Sequence, residues 1–137
     1  SETARRRIQE HLDAGFQVLL ETSGSLDIGQ VDSRVVKIVD FKAPGSGEVG
    51  ANDWSNVEKL APHDEVKFVL QSREDYEWAR NAIQEHRLAG RCELLMGTVF
   101  EKLRPETLVE WIVEDNLAVR MQLQMHKYIW DPRQRGV

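Results

Sequence analysis

Val18–Ile28 reads VLLETSGSLDI. A continuous apolar run stops at Glu21 and gives way to Thr22, Ser23, Gly24 and Ser25, three hydroxyls and a glycine. An unbroken apolar strand is the pattern of a parallel sheet with both faces covered by helices. Its abrupt polar end has two readings. It is the rim of a ligand pocket, because such sheets bind ligands beyond the carboxyl ends of their strands. Or it is a helix cap or a hydrogen-bonded turn.

Working outward, Thr3–Ala14 predicts a helix, with Ala4, Ile8 and Leu12 on one stripe and Gly15 as its stop. FQVLL (Phe16–Leu20) then predicts the first strand. Downstream, Val35–Lys42 is β-branched and bounded by turn residues, so it predicts a second strand. A Gly/Ser/Pro-rich loop leads to a short helix over Asp53–Leu60, with Trp54 and Val57 facing inward. Asp64–Leu70 predicts a third strand, and Arg73–Arg87 a helix with Tyr76, Ala79 and Ile83 on its apolar stripe. Cys92–Met96 predicts a fourth strand. Pro105 opens a helix whose inner face is Leu108, Trp111 and Ile112, with Asn116 as its stop. Val119–His126 predicts a fifth strand. The order α-β-β-α-β-α-β-α-β implies parallel strands joined by right-handed crossovers. The expected fold is α/β, an open sheet or an incomplete βα barrel, in a single domain over residues 1–137.

Several function classes are disfavoured by composition. Among 137 residues, 23 acids outweigh 18 Lys and Arg, a formal net charge of −5. A nucleic-acid-binding surface is basic overall, so no nucleic-acid partner is expected. The basic run Arg5–Arg7 reads as the solvated side of a helix. No apolar run approaches the roughly 18 residues that would suggest a membrane span, and the polar, charged N-terminus has no secretory pattern. The single cysteine, Cys92, excludes an internal disulfide or a multi-cysteine metal site and reads as a structural thiol. A cytoplasmic setting fits these features.

Polar groups recur at the strand ends. In the fifth strand, Val119, Met121, Leu123 and Met125 fall on one face, and Arg120, Gln122, Gln124 and His126 on the other. That strand is either an edge with one wet side or a barrel stave whose polar side meets a ligand. Asp40 and Lys42 share a face at the end of the second strand. Lys67, flanked by Val66 and Phe68, is either a snorkelling surface lysine or an interior one in need of an anion.

The segments GFQVLLETSGSLDI, VVKIVDFKAPGSGE, DEVKFVL, DYEWAR and QLQMHKYIWDP together resemble the 7-carboxy-7-deazaguanine synthases, in that family's order and over nearly the whole chain. The resemblance implies a radical S-adenosylmethionine enzyme, a carbon–nitrogen lyase with an incomplete, modified βα barrel. It contracts the ring of 6-carboxy-5,6,7,8-tetrahydropterin to 7-carboxy-7-deazaguanine on the way to queuosine. It further implies a cytoplasmic, magnesium-assisted homodimer with an electron donor such as flavodoxin. A [4Fe-4S] cluster cleaves S-adenosylmethionine to a 5′-deoxyadenosyl radical that abstracts a substrate hydrogen.

The chain departs from that pattern in lacking the three-cysteine cluster loop and the glycine-rich GGEP segment. Cys92 cannot replace three thiolates. The expectation is therefore the C-terminal two-thirds of such an enzyme, lacking the N-terminal strands and inactive alone. Carried over residue by residue, the family's substrate contacts fall on Glu21, Thr22, Gln124, His126 and the C-terminal carboxylate of Val137. Its cofactor contacts fall on Ser23, Asp40, Phe41, Lys42, Gly97 and Thr98, with MGTV (Met96–Val99) standing where the family has a Ser/Pro-rich turn. Two other readings are a cluster-less relative that binds a pterin or purine, and an unrelated α/β interaction domain.

Overall fold

A computed structural model describes residues 1–131 and 133, with only the backbone described at His126. Val137 therefore lies outside the described residues. Five strands form one all-parallel sheet in sequential order: β1 (Leu19–Ser23), β2 (Val36–Asp40), β3 (Glu65–Leu70), β4 (Glu93–Thr98) and β5 (Arg120–Met121). Among the described residues four α-helices accompany them: α1 (Glu2–Asp13), α2 (Arg73–Glu85), α3 (Pro105–Glu114) and the short α4 (His126–Ile129). The β2–β3 connection is made of 3-10 turns, the longest over Trp54–Lys59. A strand order that never reverses sends every right-handed crossover the same way, so the connections pack on one side of the sheet. That arrangement is consistent with a partial barrel.

Residue alternation separates the two faces. Val39, Phe41, Val66, Phe68, Leu70 and Met96 are fully buried and share one face. Against them pack Tyr76, Ala79 and Ile83 of α2 and Leu108 of α3. These are the helix positions that the apolar spacing predicts. Trp54 is half-buried and stacks on Phe41 at a centroid distance of 4.4 Å, while Val57 is buried. The opposite face is open, and Leu19 there is 57% exposed. The expectation of helices on both faces is thus corrected among the described residues.

Three boundaries also differ from the sequence reading. The first strand is Leu19–Ser23, because pairing starts where Leu19 meets Val36, and Phe16 and Gln17 lead exposed out of α1. Glu21 consequently lies inside the strand and Ser23 ends it. The fourth strand runs on through Gly97 and Thr98, which pair with Val69 and Leu70. The fifth strand pairs over Arg120 and Met121 alone, at the sheet edge. Beyond it Gln122 N–H still reaches the Met96 carbonyl at 2.9 Å, and the chain then turns into α4 at His126. Gln124 and His126, which the alternation places in the fifth strand, therefore lie outside the strand that forms.

Two buried polar groups anchor the framework. Asp64 accepts from Lys37 N–H (2.9 Å) and Ala61 N–H (2.8 Å), and the Lys37 ammonium lies 3.4 Å away. Both side chains are almost fully buried, so the pair closes the amino end of the sheet. At the other end Asn56 spans the segment after β1. Its Nδ2 donates to the Gly24 and Leu26 carbonyls, and its Oδ1 accepts from Ile28 N–H.

Candidate functional site

The site begins with how β1 ends. Gly24 N–H donates to the Asp40 carbonyl at 2.8 Å, and Asp53 N–H donates to the Gly24 carbonyl at 2.9 Å. A Cβ on Gly24 would come within 2.5 Å of the Phe41 ring, so only glycine lets the segment lie flat on the core. Ser23 Oγ accepts from Ser25 N–H and lies 2.9 Å from Ser25 Oγ. The hydroxyl-held turn is thus real for Ser23, while Glu21 keeps a side chain with no hydrogen bond or ion pair among the described residues.

The end of β2 is pinned next to it. Lys42 N–H donates to Asn52 Oδ1 at 2.8 Å, and Asn52 Nδ2 donates to the Lys42 carbonyl at 2.9 Å. The Lys42 ammonium donates to Asp40 Oδ2 at 2.6 Å. Asp40 Oδ1 is buried and has no hydrogen-bond partner among the described residues. A buried acceptor without a donor costs about 1–3 kcal/mol, which a ligand N–H or O–H would offset.

These groups share a place. A cleft of about 210 Å³ on the open face is lined by Glu21, Thr22, Ser23, Asp40, Lys42 and Lys67, with Ile38 at its floor. A second hollow of about 20 Å³ is lined by Lys67, Val69, Gly97, Thr98, Gln122 and Gln124. Lys67 lines both, which links the two ends of the sheet. A larger concavity of about 980 Å³ runs along α1, but that helix alone lines it, so no groups converge there.

The structure therefore brings Glu21, Thr22, Ser23, Asp40 and Lys42 together, and places Gly97, Thr98 and Gln124 beside the second hollow. Phe41 is the exception within the first group. Its ring is fully buried and stacked on Trp54, leaving only its backbone toward the cleft side. His126 heads α4, and Val137 lies outside the described residues. Lys67 and Gln122 were absent from the residues carried over. Strand alternation picks out both as polar-side residues, and the register across the sheet puts them on the face of Asp40.

Among the described residues no group of three His, Cys, Asp or Glu side chains could hold a metal. Burial pushes the Cys92 thiol up to about 11, with the nearby charges of Asp64, Glu65 and Glu93 adding to it. It stands just before β4, at the opposite end of the strands from the cleft. A cluster site therefore does not fit the residues described.

Fold and cleft together define an α/β protein with a polar-lined cleft on one open face of a parallel sheet. Sequence comparison gives the particular relationship: the chain is related to the 7-carboxy-7-deazaguanine synthases. It is 48% identical over 124 residues to the 7-carboxy-7-deazaguanine synthase of Chlorobaculum tepidum, covering 88% of this chain and 56% of that protein. It is 41% identical to the enzyme of that name from Koribacter versatilis (90% and 61%) and 32% identical to that of Clostridium acetobutylicum (92% and 59%). The chain thus spans a little over half the length of these curated relatives. No family model matches the chain, and no solved structure matches it. No described helix is long and apolar enough to cross a membrane.

Proposed function

We propose that this chain is part of a 7-carboxy-7-deazaguanine synthase, which converts 6-carboxytetrahydropterin to 7-carboxy-7-deazaguanine for queuosine biosynthesis. The observation that carries this reading is the 48% identity maintained over 88% of the chain. The open sheet face is then the inner wall of a radical S-adenosylmethionine barrel in a cytoplasmic homodimer served by a flavodoxin-type donor.

The described residues fit S-adenosylmethionine. Asp40 Oδ1 offers an unused acceptor for its amino or ribose donors, Ser23 and Lys42 line the same cleft as Asp40, and Gly97 and Thr98 line the neighbouring hollow. When bound and reduced, that cofactor supplies the hydrogen-abstracting chemistry. The [4Fe-4S] cluster and Mg2+ find no ligand set among the described residues. Glu21 has an uncommitted carboxylate, suited to accept paired N–H groups from a pterin or guanine edge. Thr22 and Gln124 supply further donors and acceptors, Thr22 from within β1 and Gln124 from the segment after β5.

The test is anaerobic assay of the full-length protein with 6-carboxytetrahydropterin, S-adenosylmethionine, Mg2+ and a reductant. Formation of 7-carboxy-7-deazaguanine is expected. Binding of pterin or purine without any turnover by iron-loaded protein would replace this reading with the cluster-less binding module.

A further inference from the structure

The open face carries a charge imbalance at one lysine. Its cations are Lys42, paired with Asp40 at 2.6 Å, Arg120, 3.6 Å from Glu93, and Lys67. Lys67 has no hydrogen bond or ion pair among the described residues, although it is half-buried in the middle of β3. Across the same cleft, Glu21 is also without a partner. Two opposite charges line one cleft of about 210 Å³ and yet make no ion pair. Such an arrangement suits a ligand that brings an anion to one side and N–H donors to the other.

The printed name of the relatives contains such a molecule. 7-Carboxy-7-deazaguanine bears one carboxylate, and its guanine edge bears N–H donors. We propose that Lys67 is the group that recognises the ligand carboxylate on this face, with Glu21 taking the guanine-like N–H edge. The inference rests on the reading given under Proposed function and deepens it by naming the binding residue for the carboxyl group. Lys67 also lines the hollow with Gln122 and Gln124, whose amides can complete the shell of that carboxylate. A merely snorkelling lysine would show no preference between carboxylated and uncarboxylated ligands.

The experiment titrates the full-length protein with 7-carboxy-7-deazaguanine and, separately, with 7-deazaguanine. The wild type is expected to bind the carboxylated compound about tenfold or more tightly. Lys67→Met should bring the two affinities to within about twofold of each other while leaving that for 7-deazaguanine unchanged, and Lys67→Arg should keep part of the preference. Thermal melting of each variant checks that it folds. Lys67→Gln replaces Lys67→Met if the latter does not. A wild type that binds both equally overturns the inference and leaves the function standing. So does a variant that keeps the full preference, or one that loses affinity for both ligands alike. A wild type that binds neither removes the functional reading and the inference with it.

Discussion

Lys67 and Phe68 are neighbours in the chain and point to opposite faces of one strand. Phe68 is fully buried against Phe41 and Trp78, and Lys67 lines an open cleft without a partner. The contrast holds along the whole sheet. One face is covered, packed to helices and apolar apart from Lys37, and the other is open and mixed, its charges set among Leu19, Ile38, Val69 and Leu95. Packing is concentrated on the first, and the cleft opens on the second. Substitutions on the two faces should therefore separate cleanly in what they damage.

The largest effect is expected on the covered face. Phe68→Ala removes a ring buried in the centre of the core and should cost about 3–5 kcal/mol in a denaturant titration. A loss below about 1 kcal/mol would mean that this face is not the core. Gly24→Ala comes next, because the new Cβ meets the Phe41 ring at 2.5 Å. Overpacking of that kind costs about 1–3 kcal/mol. It also shifts the end of β1, so the same variant should weaken ligand binding at the cleft. It is the one substitution expected to damage both faces.

A smaller loss tests how the covering helices are tied together. Tyr76 OH on α2 donates to Asp115 Oδ2 at 2.6 Å, just beyond α3, and lies 3.0 Å from the Trp111 carbonyl. Arg80 donates to the same carboxylate at 2.8 Å. These two bonds hold the Asp115 carboxyl below the usual carboxylate range, the Tyr76 bond first. Tyr76→Phe should cost about 1 kcal/mol at neutral pH. The stabilisation from Asp115 is present above its unfolded pKa and is lost as pH falls through the lowered folded value. The difference between wild type and Tyr76→Phe should therefore narrow in acid. A constant gap down to pH 2 would remove the Tyr76–Asp115 bond as its source.

Cys92 gives a further reading of the covered side. Its thiol is raised by burial to about 11, from an ordinary value near 9. An unfolded chain releases that proton first, so folded stability should fall as pH rises from about 9 to 11. At pH 8 the folded protein should react with iodoacetamide much more slowly than the urea-unfolded protein. Equal rates would place the thiol in solvent.

The strands of the covered face were legible because each signal there is strong. Val35–Lys42 and Asp64–Leu70 are β-branched, alternate and bounded by turns, and β2 and β3 fall inside them. Tyr76, Ala79 and Ile83 likewise lie on the inner side of α2. The ends of the sheet were less legible. An apolar run such as FQVLL cannot say which of its residues will pair, because the register is set by the partner strand, here from Val36. The alternation over Val119–His126 is that of a strand, but after Met121 the edge has little left to pair with, and local turn bonds from Gln124 onward win. At the site, Glu21, Asp40 and Lys42 stand out as charges at strand ends. Lys67 is hidden mid-strand, where a snorkelling residue has the same sequence pattern. Only the register across β2, β3 and β4 shows that it shares the cleft.

The smallest effect on stability is expected at Glu21, and it is the sharpest test of the contrast. Its carboxylate is exposed on the open face and makes no hydrogen bond or ion pair among the described residues. Glu21→Gln is nearly isosteric, so the melting profile should shift by no more than about 0.5 kcal/mol. The amide keeps one acceptor and replaces the other with a donor, so it cannot take two N–H groups from one ligand edge. Affinity of the full-length protein for 7-carboxy-7-deazaguanine should accordingly fall about tenfold or more, while Lys67 still discriminates in favour of the carboxyl group. Unchanged affinity would retire Glu21 as a ligand contact and leave its face of β1 without a function. A large loss of stability instead would mean that the open face contributes to the fold, and the division between the two faces would fail.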